Sequence, residues 1–191
     1  MRVQDALNML AGSGLAKLGP TVWADLGCGD GTFTLALAEV IAPGSVIHAM
    51  DRDAQALAGI TTRHRTVRID THHGDFTKHP WPFDNLDGIL MANSLHYVKH
   101  QNAFIAECQT RMQRDHRFLI VEYDTDRANS WVPYPISRTA LATLFNAAGY
   151  RSITTLGSRP SAYRRARLYA AIIATPEIGR ASCRERVWIP V

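Results

Sequence analysis

The sequence predicts an α/β protein built on a mostly parallel sheet of seven strands, the last of them antiparallel. Three observations predict it. Apolar positions alternate between short continuous runs and helix-like spacing, the pattern of strands and helices in turn. Glycine and proline fall where one pattern gives way to the next. The last two strand-like runs are too closely linked for an intervening helix, so they pair antiparallel. A chain of 191 residues that is 46% hydrophobic and 20% charged suits one domain with its own core and excludes a disordered chain.

The elements follow in order. Val3, Ala6, Leu7, Leu10 and Ala11 have helical spacing, which Gly12 and Gly14 interrupt. Thr21–Leu26 reads as a buried strand closed by glycines, and Phe33–Val40 as the next helix, stopped by Pro43-Gly44. Val46–Met50 is a second strand and Ala54–Ile60 a second crossover helix; Thr66–Ile69 is a weaker third strand. Leu86–Met91 and Phe118–Val121 with Glu122 are the fourth and fifth strands, with a helix over Ala103–Met112 between them. Asp126–Pro135 is polar, aromatic and proline-punctuated, hence a loop. Ser137 is the expected N-cap of a helix over Thr139–Ala148 that stops at Gly149. Tyr150–Leu156 and Arg167–Ala174 complete the strands, with Gly157–Pro160 expected in their link.

Composition narrows the function classes. No apolar stretch reaches the ~20 residues a membrane helix needs, and Asp5 interrupts the opening where a signal peptide would be apolar. Three scattered cysteines form no disulfide framework, so a reduced, cytoplasmic setting is expected. The net charge of +4 is too mild to demand an anionic partner. Glu177–Val187 resembles the in-frame translation of a short-read sequencing adapter, which sets 177–191 apart from a single domain over 1–176.

The strongest chemical signal is Asp25-Leu26-Gly27-Cys28-Gly29-Asp30-Gly31-Thr32, between the first strand and its helix. Glycines let the backbone turn tightly and approach a ligand closely, and free amides at a helix start favour electron-rich groups. Asp51 stands about 20 residues on, at the end of the second strand, where a carboxylate can accept both hydroxyls of a ribose. A dinucleotide fingerprint needs a third glycine where Thr32 stands, so a pyrophosphate ligand is disfavoured.

Acid-x-Gly-x-Gly-x-Gly at this point resembles the first motif of the class I, Rossmann-like S-adenosylmethionine-dependent methyltransferases. That resemblance implies a doubly wound sheet, S-adenosylmethionine as cofactor and S-adenosylhomocysteine as product. By its motif order, Asp25, Gly27, Cys28, Gly29 and Gly31 cradle the cofactor and Asp51 binds its ribose. Gly74-Asp75-Phe76 matches the adenine position, with Asp75 accepting the exocyclic amine. Arg52 stands where the family often has an apolar residue on adenine, and a guanidinium can stack there. Asn93-Ser94-Leu95-His96 matches the stretch lining the methionine end, so Asn93 and Leu95 join the cofactor set. It is not the Asn/Asp-Pro-Pro-Tyr form of enzymes that methylate nucleic-acid amines.

His96 is the candidate catalytic residue, because an imidazole beside the methyl group can take a proton from the acceptor; the other reading is a pocket-wall histidine. Tyr97 is expected to pack. Cys28 and Cys108 read as small buried fillers. Eight histidines and the acids Glu122, Asp124 and Asp126 offer no metal-ligand spacing, so no metal is expected. Trp131 and Tyr134 suit a lid over an apolar or planar substrate, or ordinary loop packing. Arg159, Arg164, Arg165 and Arg167 form a basic hairpin without aromatic platforms, so a nucleic-acid partner is not favoured. The expected acceptor is a small molecule; an RNA- or protein-directed enzyme, or a non-catalytic cofactor-binding protein, is the alternative. Oligomeric state and acceptor atom stay open.

Overall fold

The computed structural model describes residues 1–78, 80–160 and 167–175. Helix α1 spans Val3–Leu10 and strand β1 Val22–Leu26, followed by α2 (Thr32–Val40), β2 (Val46–Asp51) and α3 (Ala54–Ala58). A two-residue strand β3 (Arg63–His64) precedes β4 (Val67–His73) and β5 (Leu86–Ala92). Then come α4 (Gln101–Thr110), β6 (Met112–Tyr123), α5 (Arg138–Ala147), β7 (Ser152–Pro160) and β8 (Arg167–Ala174). Short 3-10 turns cover Leu15–Leu18 and Leu95–Tyr97.

The strands form one sheet in the order β3-β4-β2-β1-β5-β6-β8-β7. From β4 to β6 neighbours are parallel, while β8 runs antiparallel to both β6 and β7. Chain progression reverses direction at β1, between β2 and β5, and ligands of open α/β sheets bind in the crevice beyond the strand ends at such a point.

Alternation along each strand sends side chains to both faces, and each face is buried. Trp23, Ile47, Leu90 and Leu119 pack with Leu10 of α1 and Leu37 of α2. On the other face Ala24, Ile89, Phe118 and Ile120 pack with Phe104 of α4 and Phe145 of α5. This is the doubly wound arrangement, in which central strands read as continuous apolar runs. Gly88 sits beside Trp23 in the β1–β5 pair, and a Cβ there would lie 2.5 Å from the indole.

The sequence expectations hold for the order and type of these elements, with local corrections. The sheet has eight strands rather than seven, because Arg63–His64 adds a short antiparallel edge to β4. That strand has no apolar alternation to announce it, and backbone pairing alone defines it. Gly157–Pro160 is not link but strand, continuing β7 past a register shift between Thr155 and Gly157. Proline is tolerated there because β7 is the sheet edge, where its missing N–H breaks no ladder. Ser137 caps α5 as expected, its Oγ accepting from the Ala140 N–H at 3.3 Å. The segment 177–191 and the arginines 164 and 165 lie outside the described residues.

Candidate cofactor and acceptor site

The glycine loop leaves β1 at the switch point in the left-handed conformation that only glycine adopts freely: φ is +77° at Gly27, +54° at Gly29 and +78° at Gly31. The Gly27 and Cys28 N–H groups both donate to the Met50 carbonyl, at 2.8 and 3.1 Å, which ties the loop to β2. The Asp51 carboxylate accepts from the Gly29 N–H at 2.8 Å through Oδ2 and from the Asp53 N–H at 2.9 Å through Oδ1. Asp51 therefore braces the loop, and its remaining lone pairs stay free for hydroxyl donors. A Cβ on Gly27 would meet Ser94 Cβ at 2.6 Å and Phe76 Cε1 at 3.1 Å, so the loop passes where no side chain fits.

Asp25 is completely buried on β1. Its Oδ2 accepts from the Thr34 hydroxyl at 2.6 Å, while Oδ1 has no partner among the described residues. Burial pushes its carboxyl up to about 7; the Thr34 hydrogen bond opposes that rise and the charge of Asp51 adds to it. Asn93, just past β5, holds φ at +56°, its N–H donating to the Val121 carbonyl at 2.8 Å. Its Oδ1 is also buried without a partner. Both residues line one cavity of about 230 Å³ together with Gly27, Cys28, Gly29, Asp30 and Thr32. Two orphaned oxygens around one cavity are a costly arrangement that a ligand with several N–H donors would relieve. A nucleoside cofactor ending in an ammonium fits that donor set, whereas a pyrophosphate would face two acceptor oxygens.

The other expected residues divide between lining and support. Asp75 lines a neighbouring cavity of about 530 Å³ with Met50, His72 and Gly74. Its Oδ1 accepts from the Thr77 hydroxyl at 2.7 Å and N–H at 3.0 Å, and its Oδ2 pairs with Lys78 at 3.2 Å. The Thr77 hydroxyl holds this carboxyl below its usual value, with Lys78 assisting. Arg52 is exposed, its carbonyl facing His73 Nε2 at 3.1 Å. Gly31 serves packing as well as the turn, since a Cβ there would meet Ile60 at 2.9 Å. Phe76 and Leu95 are core side chains, Phe76 stacking edge-on to Phe104 at 5.9 Å, so they support the loop from beneath. Cys28 is nearly buried, and burial with the adjacent Asp25 charge drives its thiol far above the ordinary range, so it is inert.

His96 is buried on the 3-10 turn that follows β5, and sequence reasoning missed its partner. Glu122, equally buried at the end of β6, faces His96 Nδ1 through Oε2 at 2.7 Å and accepts from the His96 N–H through Oε1 at 3.1 Å. The available signal was an acid closing the apolar run Phe118–Val121. Weighing it with Asp124 and Asp126 only as a metal-ligand set hid it. Asp124 instead ties the loop to α5, accepting from the Arg138 N–H at 3.0 Å and Nε at 2.7 Å. The Tyr134 N–H donates to the His96 carbonyl at 3.0 Å, so the aromatic loop docks on this turn. Trp131 in that loop is 79% exposed, and Tyr97 packs on His96 at 4.4 Å while remaining exposed.

Among the described residues no group of three or more His, Cys, Asp and Glu is arranged to hold a metal. No described helix is long and apolar enough to cross a membrane. Of the basic hairpin, Arg159 pairs with Asp5 at 3.3 Å and Arg167 donates to Ser158 at 3.0 Å.

A doubly wound sheet with a glycine loop at its switch point and an acid at the end of the next strand is the arrangement in which α/β proteins hold nucleotide-type cofactors. Residues 24–115 match a family described as a methyltransferase domain. No curated protein sequence matches the chain. Among solved structures, the YcgJ protein of Bacillus subtilis is similar over 90% of this chain and 98% of its own, with 11% identity and a TM-score of 0.68. Magnesium protoporphyrin IX methyltransferase of Synechocystis, solved with bound S-adenosylmethionine, is similar over 91% of this chain and 77% of its own (13% identity, TM-score 0.61). The plantazolicin methyltransferase BpumL, in complex with S-adenosylhomocysteine, covers 91% and 83% (12% identity, TM-score 0.61). Residues 24–115 thus carry a methyltransferase domain, and the fold is that of structures solved with S-adenosylmethionine or S-adenosylhomocysteine bound.

Proposed function

We propose that the protein transfers a methyl group from S-adenosylmethionine to a small molecule. The observation that carries the cofactor reading is the pair of unpartnered buried oxygens, Asp25 Oδ1 and Asn93 Oδ1, around the glycine-loop cavity. In this reading they receive the ammonium of the methionine end, Gly27 and Gly29 give it backbone access, and Asp51 accepts the ribose hydroxyls. Asp75 and Arg52 take the adenine end, with Phe76 and Leu95 as the packed floor. The bound cofactor supplies a methyl already activated on a sulfonium, so the protein need only align the acceptor, exclude water and manage a proton.

His96 is the residue proposed to receive that proton. Tyr97 on this turn and Tyr134 bonded to it are exposed, and with Trp131 in the same loop as Tyr134 they favour a flat or apolar acceptor. The magnesium protoporphyrin IX and plantazolicin for which two of the similar structures are named agree with a small-molecule reading. Calorimetric titration with S-adenosylmethionine, S-adenosylhomocysteine and NAD tests the cofactor assignment. Micromolar binding of the two sulfur nucleosides without NAD is expected; binding of NAD alone would refute it.

A further inference from the structure

Glu122 is a buried acid with two jobs to fill and one side chain to fill them. Both it and His96 are almost completely shielded, at 1% and 2% exposure, and Glu122 spans the backbone N–H and the ring of the same residue. An ionised carboxylate only accepts, so the proton between Oε2 and Nδ1 belongs to the imidazole. That puts the lone pair of a neutral ring on Nε2. Among the described residues no group bonds Nε2, whereas the other buried histidine of the sheet, His116, uses both nitrogens, on the Gln113 carbonyl and the Tyr150 hydroxyl. Tyr169, opposite Glu122 across the β6–β8 pair, donates its hydroxyl to the Ile136 carbonyl and leaves the carboxylate to His96.

We propose that Glu122 is the positioning residue that holds His96 in the Nδ1–H tautomer, so that Nε2 is the proton acceptor of the methyl-transfer step. This rests on the methyltransferase reading and adds the group that sets its proton chemistry. As the acceptor oxygen or nitrogen bonds to the methyl carbon, its proton passes to Nε2. The carbon–sulfur bond breaks with its electron pair kept by sulfur. The imidazolium that results is balanced by Glu122 without any group having to move. The second bond, from the His96 backbone to Oε1, fixes the carboxylate's rotation, so the ring's direction is set by the turn itself.

The test is a ¹⁵N-resolved NMR measurement of the His96 side chain in the full chain, wild type and Glu122→Gln, each with and without S-adenosylhomocysteine. A glutamine keeps an acceptor for the backbone N–H only by turning its NH₂ toward Nδ1, which demands the opposite tautomer. The expected wild-type spectrum shows Nδ1 protonated and Nε2 bare at about pH 8, and E122Q shows the reverse. In E122Q, S-adenosylhomocysteine affinity stays within about twofold, while kcat falls by about 10²–10³-fold, the usual size of a proton-transfer contribution. A wild-type ring protonated on Nε2, whether as the other tautomer or as imidazolium, overturns the proposal. So does an unchanged tautomer in folded E122Q. Failure of wild-type protein to bind S-adenosylhomocysteine would instead refute the cofactor reading, and the two failures are read from separate signals.

Discussion

Asp25→Asn should stabilise the free protein at neutral and alkaline pH while weakening its hold on cofactor. In the folded chain burial raises the Asp25 carboxyl from 3.8 to about 7. Between those values the folded state keeps a proton that the unfolded state has lost, so stability falls as pH rises through this window. At about 1.4 kcal/mol per pKa unit, the ionised carboxylate costs the fold about 4 kcal/mol above pH 7. Asparagine keeps an acceptor for the Thr34 hydroxyl and carries no charge, so that cost disappears. Urea denaturation of both proteins from about pH 4 to pH 8 should give curves that start together and diverge by up to about 4 kcal/mol, the variant being the more stable. Calorimetry should give the opposite order for S-adenosylhomocysteine, with wild-type affinity rising through pH 7 as Asp25 ionises and variant affinity flat and at least about tenfold weaker. Parallel denaturation curves would refute the buried ionisation, and equal affinities would remove Asp25 from the ammonium site.

Three further outcomes follow from the same geometry. Asp51→Ala frees the backbone N–H groups of Gly29 and Asp53 and is expected to cost about 2 kcal/mol in denaturation and to lower S-adenosylhomocysteine affinity at least about tenfold by titration; unaltered affinity would sink its ribose role. Gly27→Ala combines a positive φ with a contact at 2.6 Å to Ser94, so a loss of about 3 kcal/mol is expected in thermal unfolding. His96→Ala should leave S-adenosylhomocysteine titration nearly unchanged and reduce methyl transfer about 10²-fold or more once an acceptor is in hand. Equal turnover would return His96 to the pocket wall.

The chemistry is economical because most of it is set before any ligand arrives. The loop is braced through Met50 and Asp51 on β2, and the turn bearing His96 is braced through Glu122 on β6. Those braces come from the strands on either side of the β1–β5 centre, which are rigid because both faces of the sheet are packed. A site held by packed strands can keep polar groups unpaired, at a cost the whole fold absorbs.

Much of this was legible in the chain as written. Alternating apolar runs identify the central strands and crossover helices because burial on both faces leaves no room for polar residues. The glycine motif was equally plain, since positive φ at Gly27, Gly29 and Gly31 restricts the residue type locally. Hydrophobic pattern could not announce β3 or the last residues of β7, which edge pairing alone defines. Nor could local sequence separate residues that line the site from those beneath it: Asp75, Phe76 and Leu95 sit in motif order, yet the cavity bounded by Asp25 and Asn93 takes in none of them. The pairing of His96 with Glu122 lay furthest out of reach. Twenty-six positions separate them, and only the parallel docking of β5 against β6 brings that carboxylate to the ring. Sequence by itself determined which elements form and where the chain must turn, because those depend on neighbouring residues. Tertiary structure alone decided which acids lose their water and which partners they find, because burial and distance belong to the assembled sheet.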